Sequence, residues 1–191
     1  MPRVVVLAGI NGAGKTTASR GLLTDVLRIP TFVNADAIAR GLNGMNPEGE
    51  AVRAGRIMLH RLRELAATGE DFAFETTLSA RTYAGWLRDL RARGYKVLLY
   101  YYWLESAELA VTRVAERVRS GGHHVPAEDV RRRYARSVWN FFNLYRPISD
   151  EWEVYNNTRG DRRLIAIGDS GDEAIGDEID WSHFLRSADD A

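Results

Sequence analysis

The feature that most constrains this chain is the segment Gly9, Ile10, Asn11, Gly12, Ala13, Gly14, Lys15 and Thr16. It follows a short β-branched run, Arg3 to Ala8, and precedes a helical stretch from Thr16 to Leu27. A Gly-x-x-x-x-Gly-Lys-Thr pattern between a strand and a helix lets backbone N–H groups close around phosphate oxygens at a helix N-terminus. The expected binding set is Gly9, Asn11, Gly12, Ala13, Gly14, Lys15, Thr16 and Thr17. Lys15 is positioned to reach the outer phosphates and the Thr16 hydroxyl to ligate a metal, so ATP with Mg²⁺ is the expected pair.

The rest of the chain fits around this opening. Strands are expected at 31–34, 72–74, 96–103, 153–156 and 162–167, and helices from Pro47 to Thr68, around Tyr83–Leu90, from Val111 to Arg119 and from Val130 to Phe141. This alternation predicts an α/β, three-layer fold of the P-loop NTPase type with a mainly parallel sheet. The length of 191 residues suits one domain spanning 1–191, with an acidic, glycine-containing tail from 169 to 191 in which Trp181 and Phe184 are expected to dock. The sequence has no cysteine and a formal charge of zero, which argues against disulfides, thiolate metal sites and a nucleic-acid partner. With no apolar run approaching about 20 residues, no membrane span is expected and a cytoplasmic setting is.

In an open parallel sheet the carboxyl ends of the strands share one edge, where ligands bind. Asp36 follows the second strand there. It is either a general base for a substrate hydroxyl or the N-cap of a short helix starting at Ala37, and residue type alone leaves both open. Glu75 ends the next strand, with Thr76 and Thr77 beside it, and is expected to hold substrate or to meet Mg²⁺ through water. Arg113, Arg117, Arg119, Arg131, Arg132, Arg133 and Arg136 flank the loop Ser120–Pro126 and predict a helical, arginine-bearing lid at about 113–136. Most of the seven read as solvated helix face; His123 is expected to contact substrate if it faces the cleft.

This order of motifs resembles the zeta toxin family of P-loop kinases. The resemblance runs from Val4 to about Asn157. It is carried by Leu-Ala-Gly-Ile-Asn-Gly-Ala-Gly-Lys-Thr-Thr at 7–17, Val-Asn-Ala-Asp at 33–36, Phe-Glu-Thr-Thr-Leu at 74–78 and Glu-Arg-Val-Arg-Ser-Gly-Gly-His-His-Val-Pro at 116–126. Arg132, Arg133 and Asn140-Phe141 follow in the same style. Zeta toxins phosphorylate the sugar of UDP-N-acetylglucosamine. The resemblance therefore implies an ATP-dependent kinase acting on a hydroxyl of a small, anionic metabolite; an antitoxin-like protein occupying the cleft belongs to the rival reading of a binding switch. It assigns Lys15 to the phosphates, Asp36 to the general base and Arg117 to the transition state. Where zeta toxins carry a second catalytic arginine before a Thr-Pro pair, this chain has His123 or His124 before Val125-Pro126, so Arg132 or Arg133 is expected to take that place. Two rival functions stand beside the small-molecule kinase: a polynucleotide or nucleoside kinase, and an NTPase switch that transfers nothing and answers to a protein partner.

Overall fold

Strand β4, Lys96–Trp103, is the longest of the sheet, and all but its first residue are buried. Such a run needs cover on both faces, which a parallel sheet flanked by helices supplies. The structure is a computed structural model and describes residues 1–122 and 124–189. Among these, seven strands form one sheet in the order β2-β3-β1-β4-β5-β6-β7. The others are β1 Arg3–Gly9, β2 Phe32–Val33, β3 Phe72–Thr76, β5 Glu151–Asn156, β6 Arg163–Asp169 and β7 Glu173–Ile175. The five strands β2, β3, β1, β4 and β5 are parallel, whereas β6 and β7 add antiparallel at one side.

Helices α1 Lys15–Gly21, α2 Ala35–Leu42, α3 Ala51–Thr68, α4 Thr82–Ala92, α5 Ala107–Arg119, α6 Ala127–Asn140 and α7 Glu178–Asp189 connect and cover the strands. The helix expected from Thr16 to Leu27 is shorter: after α1 the chain takes a π turn over Leu22–Val26, with the Leu27 N–H bonded to the Leu22 carbonyl at 2.9 Å. The long helix expected from Pro47 starts at Ala51, after a 3₁₀ turn over Glu48–Glu50.

Alternation along the strands sorts the core. On β3, Phe72 and Phe74 meet Trp86 and Tyr83 of α4, with Phe74 and Tyr83 ring centroids 5.0 Å apart. On β4, Tyr101 meets Phe141, just past α6, and Tyr101 and Trp103 both meet Phe184 of α7. The intervening Tyr102 points to the opposite face and stacks on Tyr155 of β5 at 5.4 Å. The acidic tail docks as expected of Trp181 and Phe184, which are both buried, but it also contains the unexpected edge strand β7.

Candidate functional site

Strand β1 pairs with β3 on one side and β4 on the other, so its carboxyl end lies at the crevice where connections leave in both directions along the sheet. Gly9 ends it, and a side chain here would collide with the Tyr102 carbonyl oxygen of β4. At Gly12 an added carbon would lie 3.1 Å from the Arg113 Cβ and 3.2 Å from the Ala110 carbonyl oxygen of α5. The loop thus runs tight against β4 and α5 at these two glycines. A further tether comes from Asn157, past the end of β5, which donates to the Ala13 carbonyl at 2.9 Å.

Lys15, the first residue of α1, is 6% exposed and donates to the Ile10 carbonyl at 2.9 Å. Burial holds its pKa below the usual ammonium value; Glu75 and Asp36 pull it back up, and Arg117 adds to the lowering. Those three groups therefore act on Lys15 at short range. They line one cleft of about 310 Å³ with it, together with Asn11, Asn34, Thr76, Thr77 and Arg133.

The loop after β2 excludes the capping role for Asp36. The N-cap of α2 is Asn34, whose side-chain oxygen accepts from the Ala37 N–H at 3.0 Å. Asp36 sits in the first turn of α2, exposed, with its carboxylate on the cleft. The Asn34 amide also donates to Glu75 Oε2 at 2.9 Å, and the Thr16 hydroxyl donates to the same oxygen at 2.8 Å. Asn34 has no role in the sequence reading, although it stands inside the Val-Asn-Ala-Asp motif. Its strand-end position beside a helix start was the available signal.

The hydroxyls of Thr76 and Thr77 stabilise their own loop: Thr76 accepts from the Leu78 N–H at 3.1 Å and Thr77 bonds Ser79 at 2.8 Å. Thr17 lies apart from the cleft and opens onto the grooves beside α1.

The lid arginines separate into groups. Arg117 and Arg133 face the cleft. Arg132, expected as a catalytic group, does not line it; it is exposed and pairs with Asp129 at 2.6 Å. Adjacent helical residues point about 100° apart, so only one of Arg132 and Arg133 can face inward. Arg131 is held by Glu108 and Glu128, both at 2.7 Å, and Arg113 donates to the Thr158 carbonyl at 2.8 Å. His123 lies outside the described residues.

Arg117 owes its position to how α5 stops. Gly121 takes φ +81°, the Gly122 N–H bonds the Arg117 carbonyl at 2.9 Å, and the Gly121 N–H bonds the Val118 carbonyl at 2.9 Å. This is a Schellman ending, which needs a left-handed residue past the C-cap. A carbon added at Gly122 would lie 2.5 Å from the Arg117 Cγ, so the second glycine leaves room for that side chain.

Comparison with known proteins agrees with this architecture. A family model described as an AAA domain matches residues 4–137. An uncharacterized protein of Haemophilus influenzae is 29% identical over 132 residues, 69% of this chain and 92% of that protein. A crystal structure of AvrRxo1-ORF1:-ORF2 with ATP superposes with a TM-score of 0.76 at 15% identity over 96% of this chain. This chain spans 63% of that one. The PezAT chromosomal toxin-antitoxin system of Streptococcus pneumoniae gives a TM-score of 0.64 at 16% identity over 99% of this chain and 85% of that one. A putative kinase from Chloroflexus aurantiacus gives 0.55 at 20% identity, covering 68% and 75%. No helix among the described residues is long and apolar enough to cross a membrane. With its phosphate loop at the β1 switch point and its fold shared with kinase structures, the chain belongs to the AAA domain family and has a P-loop kinase-like fold.

Proposed function

We propose that this protein is an ATP- and Mg²⁺-dependent phosphotransferase, similar to the zeta toxins, that phosphorylates a hydroxyl of a small metabolite such as a UDP-N-acetyl sugar. The observation that carries this reading is the convergence of Lys15, Asp36, Glu75 and Arg117 on one cleft at the carboxyl ends of β1, β2 and β3. The crystal structure of AvrRxo1-ORF1:-ORF2 with ATP, which shares this fold, supports the choice of nucleotide.

The residues present fit both groups. The glycine loop is closely backed by β4 at Gly9 and by α5 at Gly12, Lys15 reaches it from α1, and Asn11 Oδ1 is a buried polar atom without a hydrogen-bond partner among the described residues. For the metal, the Thr16 hydroxyl and the Glu75 carboxylate supply hard oxygen donors in mutual contact. Mg²⁺ commonly takes only one or two such protein ligands and completes its shell with phosphate and water. When bound, the ion would neutralise charge on the phosphate chain.

The chain's own groups divide the remaining work. Lys15 and the loop amides hold the phosphates. Asp36 takes the proton from the acceptor hydroxyl as its oxygen bonds to the γ-phosphorus and the bond to the ADP oxygen breaks. Arg117, with Arg133 beside it, offsets the charge spread over the transferring group. Glu75, fixed by Asn34 and Thr16 through one oxygen, keeps its other oxygen for the acceptor.

The test is incubation with γ-labelled ATP and a metabolite extract, with the labelled product identified by mass. Asp36→Asn should bind ATP within about threefold of wild type and lose roughly 10²- to 10⁴-fold in transfer, the range for removal of a general base. Full transfer by this variant would overturn the assignment of Asp36. A protein partner, as the names of the AvrRxo1 and PezAT systems suggest, is a second reading. Phosphate release with no labelled acceptor, at a rate that such a partner changes, would favour a switch over a kinase.

A further inference from the structure

A second cavity, of about 610 Å³, adjoins the cleft and shares Ser79 and Ala80 with it. Its other walls are Arg81, Arg136, Trp139 and Asn140, none of which the proposed phosphoryl transfer uses.

The wall common to both cavities is a built piece of backbone. Leu78 is fully buried and takes φ +56°, a left-handed conformation that costs a branched residue about 1–2 kcal/mol. It is held there from the far side: the Asn140 amide donates to the Leu78 carbonyl at 2.6 Å, and the Tyr145 hydroxyl donates to the Ala80 carbonyl at 2.5 Å. The segment that divides the two cavities is thereby anchored to α6 and the turn after it.

The charge in the second cavity is one-sided. The Arg81 guanidinium lies over the Trp139 ring, 5.2 Å from its centroid. That cation–π contact steadies the guanidinium, whose N–H groups are all donors suited to an oxyanion. Arg136 stands one turn along α6 from Arg133, about 4.5 Å further along the axis, so α6 presents guanidinium groups to both cavities. Among the described residues, no carboxylate comes within ion-pair distance of Arg81 or Arg136, although Arg131 and Arg132 on the same helix are both paired. Two cations facing one polar cavity without an internal counter-ion suit a bidentate oxyanion.

We infer that the second cavity is an anion subsite for the acceptor, taking a phosphate group between Arg81 and Arg136 while the acceptor hydroxyl reaches Asp36 past Ser79 and Ala80. This rests on the kinase reading and narrows it: the acceptor is a phosphorylated metabolite long enough to bridge both cavities. An acceptor without the phosphate binds through the first cleft alone.

The test uses full-length protein saturated with Mg²⁺ and a non-hydrolysable ATP analogue, so that the phosphate loop is filled, and titrates inorganic phosphate by calorimetry. One further phosphate should bind per chain, with affinity reduced at least tenfold in Arg136→Gln and in Arg81→Gln, while both variants keep wild-type affinity for the analogue. Phosphate binding that is absent, or unchanged in both variants, overturns the subsite. In turnover with the acceptor found by labelling, Arg136→Gln should raise KM at least tenfold with kcat within about threefold. An acceptor lacking phosphate, or an unchanged KM, would sink the subsite and leave the kinase reading standing. Phosphate binding at Arg136 with no transfer to any metabolite would sink the kinase reading and keep the anion site.

Discussion

At the β2-β3-β1 side of the sheet, Asn34, Glu75 and Gly9 stand at or beside the carboxyl ends of their strands, which open onto a cleft with a buried lysine. At the β5-β6-β7 side the last strands turn antiparallel, and α7 seals one face with rings. Phe184 is fully buried and lies within 6 Å of Tyr101, Trp103, Phe141, Phe142 and Trp181, at centroid distances of 5.4, 5.4, 5.3, 4.8 and 5.8 Å. Trp152 and Trp181 stack at 5.8 Å, with the Arg146 guanidinium over both. The first region gathers charged groups around a cleft, which costs stability; the second buries aromatic area, which supplies it. The difference predicts that stability and ligand affinity respond to different substitutions.

The largest effect expected from this division lies in the ring cluster. Phe184→Ala should lower stability by about 3–5 kcal/mol, as for other buried Phe truncations, and drop the melting temperature by roughly ten degrees. ATP affinity measured on the folded fraction should be unchanged. A parallel loss of affinity would show that the two regions are energetically coupled.

How much of this was legible in the sequence follows the same division. The run Lys96–Trp103 was readable to the residue because burial on both faces leaves an unbroken apolar string. The strand-end motifs placed Asp36 and Glu75 beside the loop because a parallel sheet puts all carboxyl ends on one edge. The direction of β6 and the existence of β7 were not readable. Pairing direction is set by the connection, and Glu-Ala-Ile inside an acidic tail carries no two-residue period. Likewise, choosing Arg133 over Arg132 needed the rotation of α6, which packing against α5 and α7 decides. Of the two duties of Asn34, capping α2 was signalled by its place between a strand end and a helix start, whereas fixing Glu75 was not readable, because that partner lies 41 positions away.

A smaller effect is expected at Lys15, where the two regions can be set against each other in one residue. Its pKa is lowered by burial, so the unfolded chain holds this proton more tightly than the folded one. The resulting penalty is fully present below the folded value and fades as pH rises toward the unfolded value. Lys15→Met should therefore leave the melting temperature at pH 7 equal to or above that of wild type. The same change removes a charged hydrogen-bond donor from the phosphates, so nucleotide affinity should fall about 10- to 100-fold. A lower melting temperature would mean that the bond to the Ile10 carbonyl outweighs the burial, making Lys15 a structural residue first.

The smallest expected effect is at the end of α5, and it tests whether a cleft group is held by the backbone beneath it. Gly121 lies in the left-handed region at φ +81°. Alanine there costs about 1 kcal/mol, a loss of about 2–4 °C for a chain of this size. Asparagine tolerates that conformation better, so Gly121→Asn should recover about half the loss. The backbone strain also bears on the next residue, because the Gly122 N–H bonds the Arg117 carbonyl at 2.9 Å. Transfer should accordingly fall in Gly121→Ala and return in Gly121→Asn, with ATP affinity unchanged in both. Equal melting temperatures and rates for the two variants would show that the left-handed ending does not govern Arg117, and that its place in the cleft is set from the cleft side.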